Sequence, residues 1–191
     1  MKFIRKINRG LILFLVLLAV LMGHLITLEA SRTAQRSEIN EICRQAIEQL
    51  KACIVIPQNL YENTAVSSEK LVQEYIEESC QKFQPFCTED NTVSGVISYL
   101  IQRQKQTGIY FTEFRSSSIN KPKYLFSGDT VTVTFSPVLS YKTRAAGLKE
   151  ESKTTTEESF FSFWLKKEEG KWKLSAFDPQ VNQYSDNFYY Y

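Results

Sequence analysis

Four cysteines are the residues in this sequence best suited to covalent chemistry, because paired thiols form disulfides in an oxidising compartment. They are Cys43, Cys53, Cys80 and Cys87. Cys43 and Cys53 lie ten residues apart on one predicted helix, roughly 15 Å along its axis, whereas a disulfide requires Cα atoms within about 7 Å. An antiparallel arrangement of the first two predicted helices places Cys43 opposite Cys80. We therefore favour the pairs Cys43–Cys80 and Cys53–Cys87; the nested alternative is Cys43–Cys87 with Cys53–Cys80.

Two other uses of these thiols are less favoured. Reduced cysteines suit core positions, and Cys43, Cys53 and Cys80 do lie on apolar stripes. A zinc site is typically built from closely spaced CxxC pairs and histidines. The sequence has no CxxC pair, and its one histidine, His24, lies in an apolar segment. We therefore predict no metal site and no cofactor.

The remaining polar residues form no recognisable catalytic set. Without a histidine outside the apolar segment, neither a Ser-His-Asp nor a Cys-His arrangement can be assembled, and no phosphate-binding glycine loop is present. Adjacent glutamates do not face each other on a helix and are typical of a solvated surface. These pairs are Glu77-Glu78, Glu150-Glu151, Glu157-Glu158 and Glu168-Glu169. We therefore name no catalytic residue.

The first thirty residues indicate a transmembrane helix. Residues 11–28 are apolar except for Gly23, His24 and Thr27, and about 20 helical residues span the roughly 30 Å hydrocarbon core of a bilayer. Four cations precede this run and are expected to stay on the cytoplasmic side: Lys2, Arg5, Lys6 and Arg9. We therefore predict a single-pass cell-membrane protein with a cytoplasmic N-terminus and an extracytoplasmic C-terminal domain.

A cleaved signal peptide is the alternative interpretation of the same segment. Such a peptide ends in a small-x-small cleavage site. The only candidate is Leu28-Glu29-Ala30, where a large leucine stands at a position that favours a small residue. An uncleaved signal-anchor is therefore preferred.

The charge of the rest of the chain excludes one class of partner. Without the four N-terminal cations and Glu29, the chain's 23 Lys and Arg and 21 Asp and Glu leave nineteen cations and twenty acids, a net charge of −1. Nucleic-acid binding requires a clustered basic face. We therefore predict no nucleic-acid partner.

Apolar residues at three- and four-residue steps predict three helices. They are Ser37–Ile54, which Pro57 ends and which could continue from the transmembrane helix, a segment from Ser67 or Ser68 to Pro85, and a segment from Thr92 to Gly108. After Gly108 the period changes to two, which predicts strands. They are Ile109–Phe114, Asp129–Tyr141 with a bulge or edge position at Pro137, and a hairpin of Ser159–Lys167 and Lys171–Phe177. Residues 143–158 are polar and are predicted to form a long loop.

These elements predict an α+β fold in which three helices pack on a curved antiparallel sheet of about four strands. The predicted organisation is a cytoplasmic basic flank at 1–10, a transmembrane signal-anchor helix at 11–28, a connector at 29–36, an extracytoplasmic α+β domain at 37–180 and an aromatic tail at 181–191.

The strand Asp129–Tyr141 followed by the aromatic hairpin Phe160–Phe177 resembles the nuclear transport factor 2-like superfamily, whose fold is a cystatin-like cone. The resemblance implies helices packed on a curved sheet. Its members with an N-terminal anchor and an outward cone domain include assembly-scaffold subunits of type IV secretion and conjugation machines. Some cone folds hold a pocket in which an aspartate and a tyrosine abstract a proton, and the residues here that could line such a pocket are Tyr110, Glu113, Tyr141 and Asp178.

The last residues form an aromatic cluster of Tyr184, Phe188, Tyr189, Tyr190 and Tyr191. Exposed tyrosines are effective interaction anchors because they supply a large contact area at low entropy cost. The alternatives are that this tail adds an edge strand to the sheet or stays without fixed structure.

The favoured function is a non-catalytic bitopic membrane protein whose outer domain is an interaction or scaffold module of a cell-envelope assembly. Its expected partners are the membrane and other envelope proteins, and self-association stays open. A pilin-like filament subunit is a second hypothesis, since Asn8-Arg9-Gly10 precedes a long apolar helix, although Leu15 stands where pilins carry glutamate. A small-ligand binder or enzyme that uses the cone pocket is a third.

Overall fold

Four α-helices precede the strands in the computed structural model, which describes residues 9–61 and 67–181. Their bounds are α1 Arg9–Ile54, α2 Gln58–Tyr61, α3 Ser67–Gln81 and α4 Val93–Thr107, with a 3₁₀ turn at Gln84–Phe86. The chain divides into two compact units, residues 1–39 and 40–191, and α1 contributes to both. The prediction that the first amphipathic helix continues from the apolar segment is confirmed.

The helix boundaries follow from the residues at their ends. Pro57 precedes the short α2, whose Leu60 N–H donates to the Pro57 carbonyl at 3.0 Å. Pro85 lies in the first turn of the 3₁₀ segment, where its missing N–H costs nothing. Helix α4 starts after Thr92 and ends at Gly108, whose φ of 66° is the left-handed conformation that favours glycine.

Within the described residues, seven strands form two antiparallel sheets. Their bounds are β1 Ile109–Ser116, β2 Lys123–Ser127, β3 Thr130–Phe135, β4 Val138–Ala145, β5 Thr155–Glu158, β6 Phe160–Glu168 and β7 Lys171–Gln180. The three-stranded sheet has the order β1-β4-β5 and the four-stranded sheet the order β2-β3-β6-β7. The predicted α+β class and the β6–β7 hairpin are confirmed.

The predicted strand Asp129–Tyr141 is two strands rather than one. Ser136 and Pro137 separate β3 from β4, which belong to different sheets. Proline has no N–H to donate to a ladder, so the strand is interrupted there, and the Pro137 carbonyl accepts a 2.9 Å hydrogen bond from Ser159 N–H instead.

The predicted long loop 143–158 also differs from the structure. Its first residues complete β4, and Thr155–Glu158 pairs with β4 as the edge strand β5. Strand β2 was not predicted, and it forms a hairpin with β3 around Gly128, whose φ is 57°. Both additional strands are edge strands with few buried side chains.

The core of the 40–181 region joins the helices to both sheets. Helix α4 contacts β1 and β7, one strand from each sheet. Gln104 of α4 is fully buried, and its amide donates to the Ile54 carbonyl at 3.0 Å and accepts from Phe111 N–H at 3.0 Å. One buried polar side chain thus connects α4 to the end of α1 and the start of the three-stranded sheet.

Candidate functional site

The apolar part of α1 is the first candidate functional region. Every large apolar side chain from Leu11 to Leu28 is exposed, from 41 % at Leu28 to 66 % at Leu13. An 18-residue window of this helix has a mean hydropathy of 2.8. A helix that is apolar on all sides is stable only when a protein core or a membrane covers it. The domain does not cover this segment, and the segment is long and apolar enough to span a bilayer.

Two predicted features lie outside the described residues. The first is the N-terminal group of cations: Lys2, Arg5 and Lys6 lie before the described residues, and only Arg9, the first residue of α1, lies within them. The second is the aromatic tail, which lies after the last described residue, Val181: Tyr184, Phe188, Tyr189, Tyr190 and Tyr191. The orientation that those cations imply and the role of the tail therefore stay predictions.

The predicted disulfides are not formed in the structure. All four cysteines lie in the described part of the chain and are free thiols. Two of the thiols donate hydrogen bonds to main-chain carbonyls. Cys53 Sγ donates to the Leu50 carbonyl at 3.4 Å, and Cys80 Sγ donates to the Ser94 carbonyl at 3.7 Å. Cys43 is fully buried, and this burial raises the pKa of its thiol to about 12.

Cys53, near the end of α1, lies close enough to Cys80 of α3 for the two thiols to interact electrostatically. Burial raises the pKa of Cys53 to about 12, and the neighbouring Cys80 adds to the rise. The Tyr75 hydroxyl of α3 donates to the Cys53 carbonyl at 3.1 Å, which fixes the end of α1 beside α3. Which cysteines pair therefore stays a prediction.

The four residues that could line a cone pocket have different surroundings. Tyr110 stacks on Tyr61 with 4.2 Å between ring centroids, and Glu113 forms a 3.2 Å ion pair with Lys142. Burial, and secondly Glu157, raises the pKa of Tyr141 to about 12. Asp178 lies on β7 in the other sheet, and burial raises the pKa of its carboxyl.

Aromatic rings fill the interior beside these residues. Phe163 stacks with Phe135 at 5.7 Å and with Phe177 at 6.0 Å between centroids, and Phe83 contacts Phe177 at 5.9 Å. In the three-stranded sheet, Phe111 meets the ring of Tyr141 edge-on at 5.2 Å. Among the described residues, no group of three or more His, Cys, Asp or Glu side chains is placed to hold a metal ion.

The outer face of the four-stranded sheet is the side that faces away from these rings. Strand register aligns Leu125, Thr132, Trp164 and Ala176 in one row across it, and Lys123, Thr134, Ser162 and Asp178 in the next. Leu125 is 71 % exposed, Trp164 39 % and Phe160 41 %. Large apolar side chains therefore stand exposed between threonines and lysines.

A groove of about 280 Å³ lies at one end of the outer face. It is lined by Asn120, Lys121, Lys123, Thr134, Phe135, Ser136 and Phe160. Neither Lys121 nor Lys123 forms an ion pair with another described residue. The sequence-based prediction does not include this region because it lacks strand β2, although Tyr124, Leu125 and Phe126 between two polar residues are a signal for a strand.

Comparison with known proteins gives structural likenesses only. No protein-family model matches the chain, and no curated protein matches it. Similar solved structures include a scytalone dehydratase candidate of Novosphingobium aromaticivorans, with 12 % identity, 79 % of this chain and 86 % of that chain covered, and a TM-score of 0.46. The Kfla4162 protein of Kribbella flavida has 10 % identity, 78 % and 90 % coverage and a TM-score of 0.45.

A further similar structure is an NTF2-like protein with a cystatin-like fold from Novosphingobium aromaticivorans, with 12 % identity, 81 % of this chain and 86 % of that chain covered, and a TM-score of 0.38. At this level of identity the likeness says nothing about an activity of this chain.

Proposed function

We propose that this chain is a non-catalytic, single-pass membrane protein whose C-terminal α+β domain is an extracytoplasmic interaction module of a cell-envelope assembly. The observation that carries the proposal is the exposed apolar segment 11–28 of α1, which precedes a folded domain. Leaving that many aliphatic side chains in water costs roughly 25 cal/mol per Å², whereas a bilayer removes the cost. Secretion and conjugation machines are the assemblies that the sequence resemblance implies.

The packing of the domain supports a role without catalysis. Rings of Phe111, Phe163 and Phe177 occupy the interior, and tyrosines there have raised pKa values because of burial. Two of the residues that could line a cone pocket already have partners within the domain, since Tyr110 stacks on Tyr61 and Glu113 pairs with Lys142. The acids Glu113 and Asp178 lie in different sheets.

The proposal is tested by the size of the complex in mild detergent. We expect the full-length chain to migrate as an assembly larger than its monomer and to crosslink through its domain to other envelope proteins. The matched control keeps residues 1–39 and carries an unrelated soluble domain in place of 40–191. A full-length chain that stays monomeric, or that crosslinks to the same proteins as the control, would contradict the proposal.

The mass of the mature chain, which shows at which residue it begins, separates this proposal from the pilin-like alternative. A pilin would be cleaved after Gly10 and begin at Leu11, whereas the anchored protein keeps the four cations before it. Leu15, in place of the pilin glutamate, supports the anchored form. Intact-mass spectrometry of protein taken from membranes decides between them.

A further inference from the structure

The groove at one end of the outer face carries positive charge that no described acid offsets. Two of its lining residues are lysines, Lys121 and Lys123, and none of the described residues that line it is acidic. Cations of the other sheet are paired, since Lys142 and Arg144 meet glutamates at 3.2 Å and 3.1 Å. Within the described part of the chain, neither groove lysine has such a partner. An anionic occupant would therefore meet two ammonium groups without a competing carboxylate.

The backbone at Lys121 has a conformation that lysine seldom adopts. Its φ is 47°, in the left-handed region, where a Cβ atom lies too close to the following carbonyl oxygen. In the next turn along the chain, Gly128 takes the same conformation without this penalty. Strained residues of this kind are concentrated at functional sites. A lysine at a position where glycine would be unstrained indicates that its side chain, rather than the turn, is what this position requires.

The other side chains of the groove suit a carboxylate beside an apolar group. Thr134 and Ser136 carry hydroxyl groups and Asn120 carries an amide, and all three are donors for a carboxylate oxygen. The ring of Phe160, 41 % exposed, offers an apolar contact. The volume of about 280 Å³ is below the roughly 300–1,000 Å³ of typical small-molecule sites. The groove therefore suits a few side chains of a peptide better than a large cofactor.

An extended peptide has the periodicity that such a groove needs. Every second side chain of an extended chain points to the same side. An apolar residue and an acid two positions apart would therefore both face the groove, the first towards the ring and the second towards the lysines. A flat bilayer surface also carries negative charge, but it fits a narrow groove less well than a single extended chain does.

We propose that this groove binds an extended acidic segment of a partner protein, with an apolar side chain on the ring of Phe160 and carboxylates on Lys121 and Lys123. The proposal rests on the proposed function, because it names the chemistry of the partner that the interaction module recognises. Ring contact and ion pairing act together here, since an exposed ion pair alone is weak. Added salt should weaken the binding, because exposed ion pairs are screened.

Fluorescence anisotropy of a labelled peptide tests the proposal on the full chain in phosphatidylcholine nanodiscs. The probe is a peptide with the repeated sequence Phe-Ser-Glu-Ser, and the same peptide with Gln in place of Glu should bind more weakly. Lys121→Glu with Lys123→Glu should raise the dissociation constant of the acidic probe about five- to thirtyfold, because two exposed ion pairs become repulsions. Phe160→Ser should raise it about two- to tenfold, because the ring contact is lost.

Three controls make the result specific to the groove. Lys149→Glu with Lys153→Glu, which reverses two exposed lysines of the β4–β5 loop, should leave the affinity unchanged. Lys121→Gly removes one charge and relaxes the left-handed backbone, so it should weaken binding without lowering the temperature of unfolding. A probe with Lys in place of Glu should bind the chain that carries Lys121→Glu and Lys123→Glu more tightly than it binds the unchanged chain.

Three results would overturn the proposal. Equal affinities for the Glu and Gln probes would show that the groove does not recognise charge. An unchanged affinity in the Lys121→Glu, Lys123→Glu chain would place the peptide elsewhere. Loss of probe binding when phosphatidylglycerol replaces part of the phosphatidylcholine would assign the groove to anionic lipid.

Failure of this inference is distinguishable from failure of the proposed function. If the assembly seen in mild detergent and its crosslinks persist unchanged with Lys121→Glu and Lys123→Glu, the groove is not the contact with the partner, and the interaction module stands. A chain that stays monomeric without any substitution contradicts the proposed function itself. Loss of the crosslinks in this variant, with the Lys149→Glu, Lys153→Glu chain unaffected, supports both.

Discussion

The side-chain amide of Gln104 donates a 3.0 Å hydrogen bond to the main-chain carbonyl of Ile54, fifty residues earlier in the chain. The other end of the same amide accepts from Phe111 N–H at 3.0 Å, and Gln104 is fully buried. A buried amide with both ends bonded holds the end of α1, α4 and β1 in one arrangement, because moving any of these elements would break a hydrogen bond in the interior.

Gln104→Leu should therefore destabilise the domain strongly, although the two side chains have similar volumes. The substitution leaves the Ile54 carbonyl and the Phe111 N–H without this partner, at a cost of about 1–3 kcal/mol for each group left unsatisfied. Thermal unfolding followed by circular dichroism measures the effect. Gln106→Leu, at an exposed position of the same helix, is the control and should change the free energy of unfolding little.

Two glycines, one inside α4 and one at its C-terminal end, should respond in opposite directions to alanine. Gly108 has a φ of 66°, which a side chain disfavours, so Gly108→Ala should destabilise the domain by about 1 kcal/mol. Gly95 lies inside the helix, and a methyl group there would meet no neighbouring atom within 4 Å, so Gly95→Ala should stabilise the domain by about 0.5–1 kcal/mol. Urea unfolding measures both effects, and changes of the same sign in the free energy of unfolding for the two substitutions would contradict this account.

The sequence predicted the elements whose signals are local. Apolar stripes, Pro57 and Gly108 indicated the helices, and the alternation around Phe161 and Trp172 indicated the hairpin β6–β7. Strand β5 was missed because Thr155–Glu158 has no apolar residue and gains its place only by pairing with β4. The outer face was missed for a similar reason, since it exists only once β2, β3, β6 and β7 are in register.

The cysteines provide a prediction about pairing. If the domain lies in an oxidising compartment, we expect the bond to form between Cys53 and Cys80, since these two are neighbours and Tyr75 holds the end of α1 beside α3. Peptide mapping without reduction measures the pairing. A Cys53–Cys87 bond would restore the arrangement that the sequence favoured, and four free thiols in protein taken from the envelope would contradict an oxidising location.

The thiol pKa values also predict how stability depends on pH. Burial raises the pKa of Cys43 to about 12 from an ordinary value near 9, so between these two values the unfolded chain loses this proton while the folded chain keeps it. The stability is therefore complete below pH 9 and falls as the pH rises towards 12. Cys43→Ala should reduce the slope of the free energy of unfolding over this window, and an unchanged slope would contradict the assignment.

The last prediction concerns the orientation of the anchor. Cations next to a membrane span are retained on the cytoplasmic side, and four of them precede the apolar segment: Lys2, Arg5, Lys6 and Arg9. Replacing all four with glutamine should leave the apolar segment able to insert but should allow a mixture of orientations. Protease added to spheroplasts should digest the domain of the unchanged chain completely and only a fraction of the domain of the variant. Lys149→Gln with Lys153→Gln, which removes two cations of the β4–β5 loop, is the matched control and should be digested like the unchanged chain. A domain that is protected in intact spheroplasts before any substitution would show that the N-terminus is outside, and the extracytoplasmic location of the proposed interaction module would then be wrong.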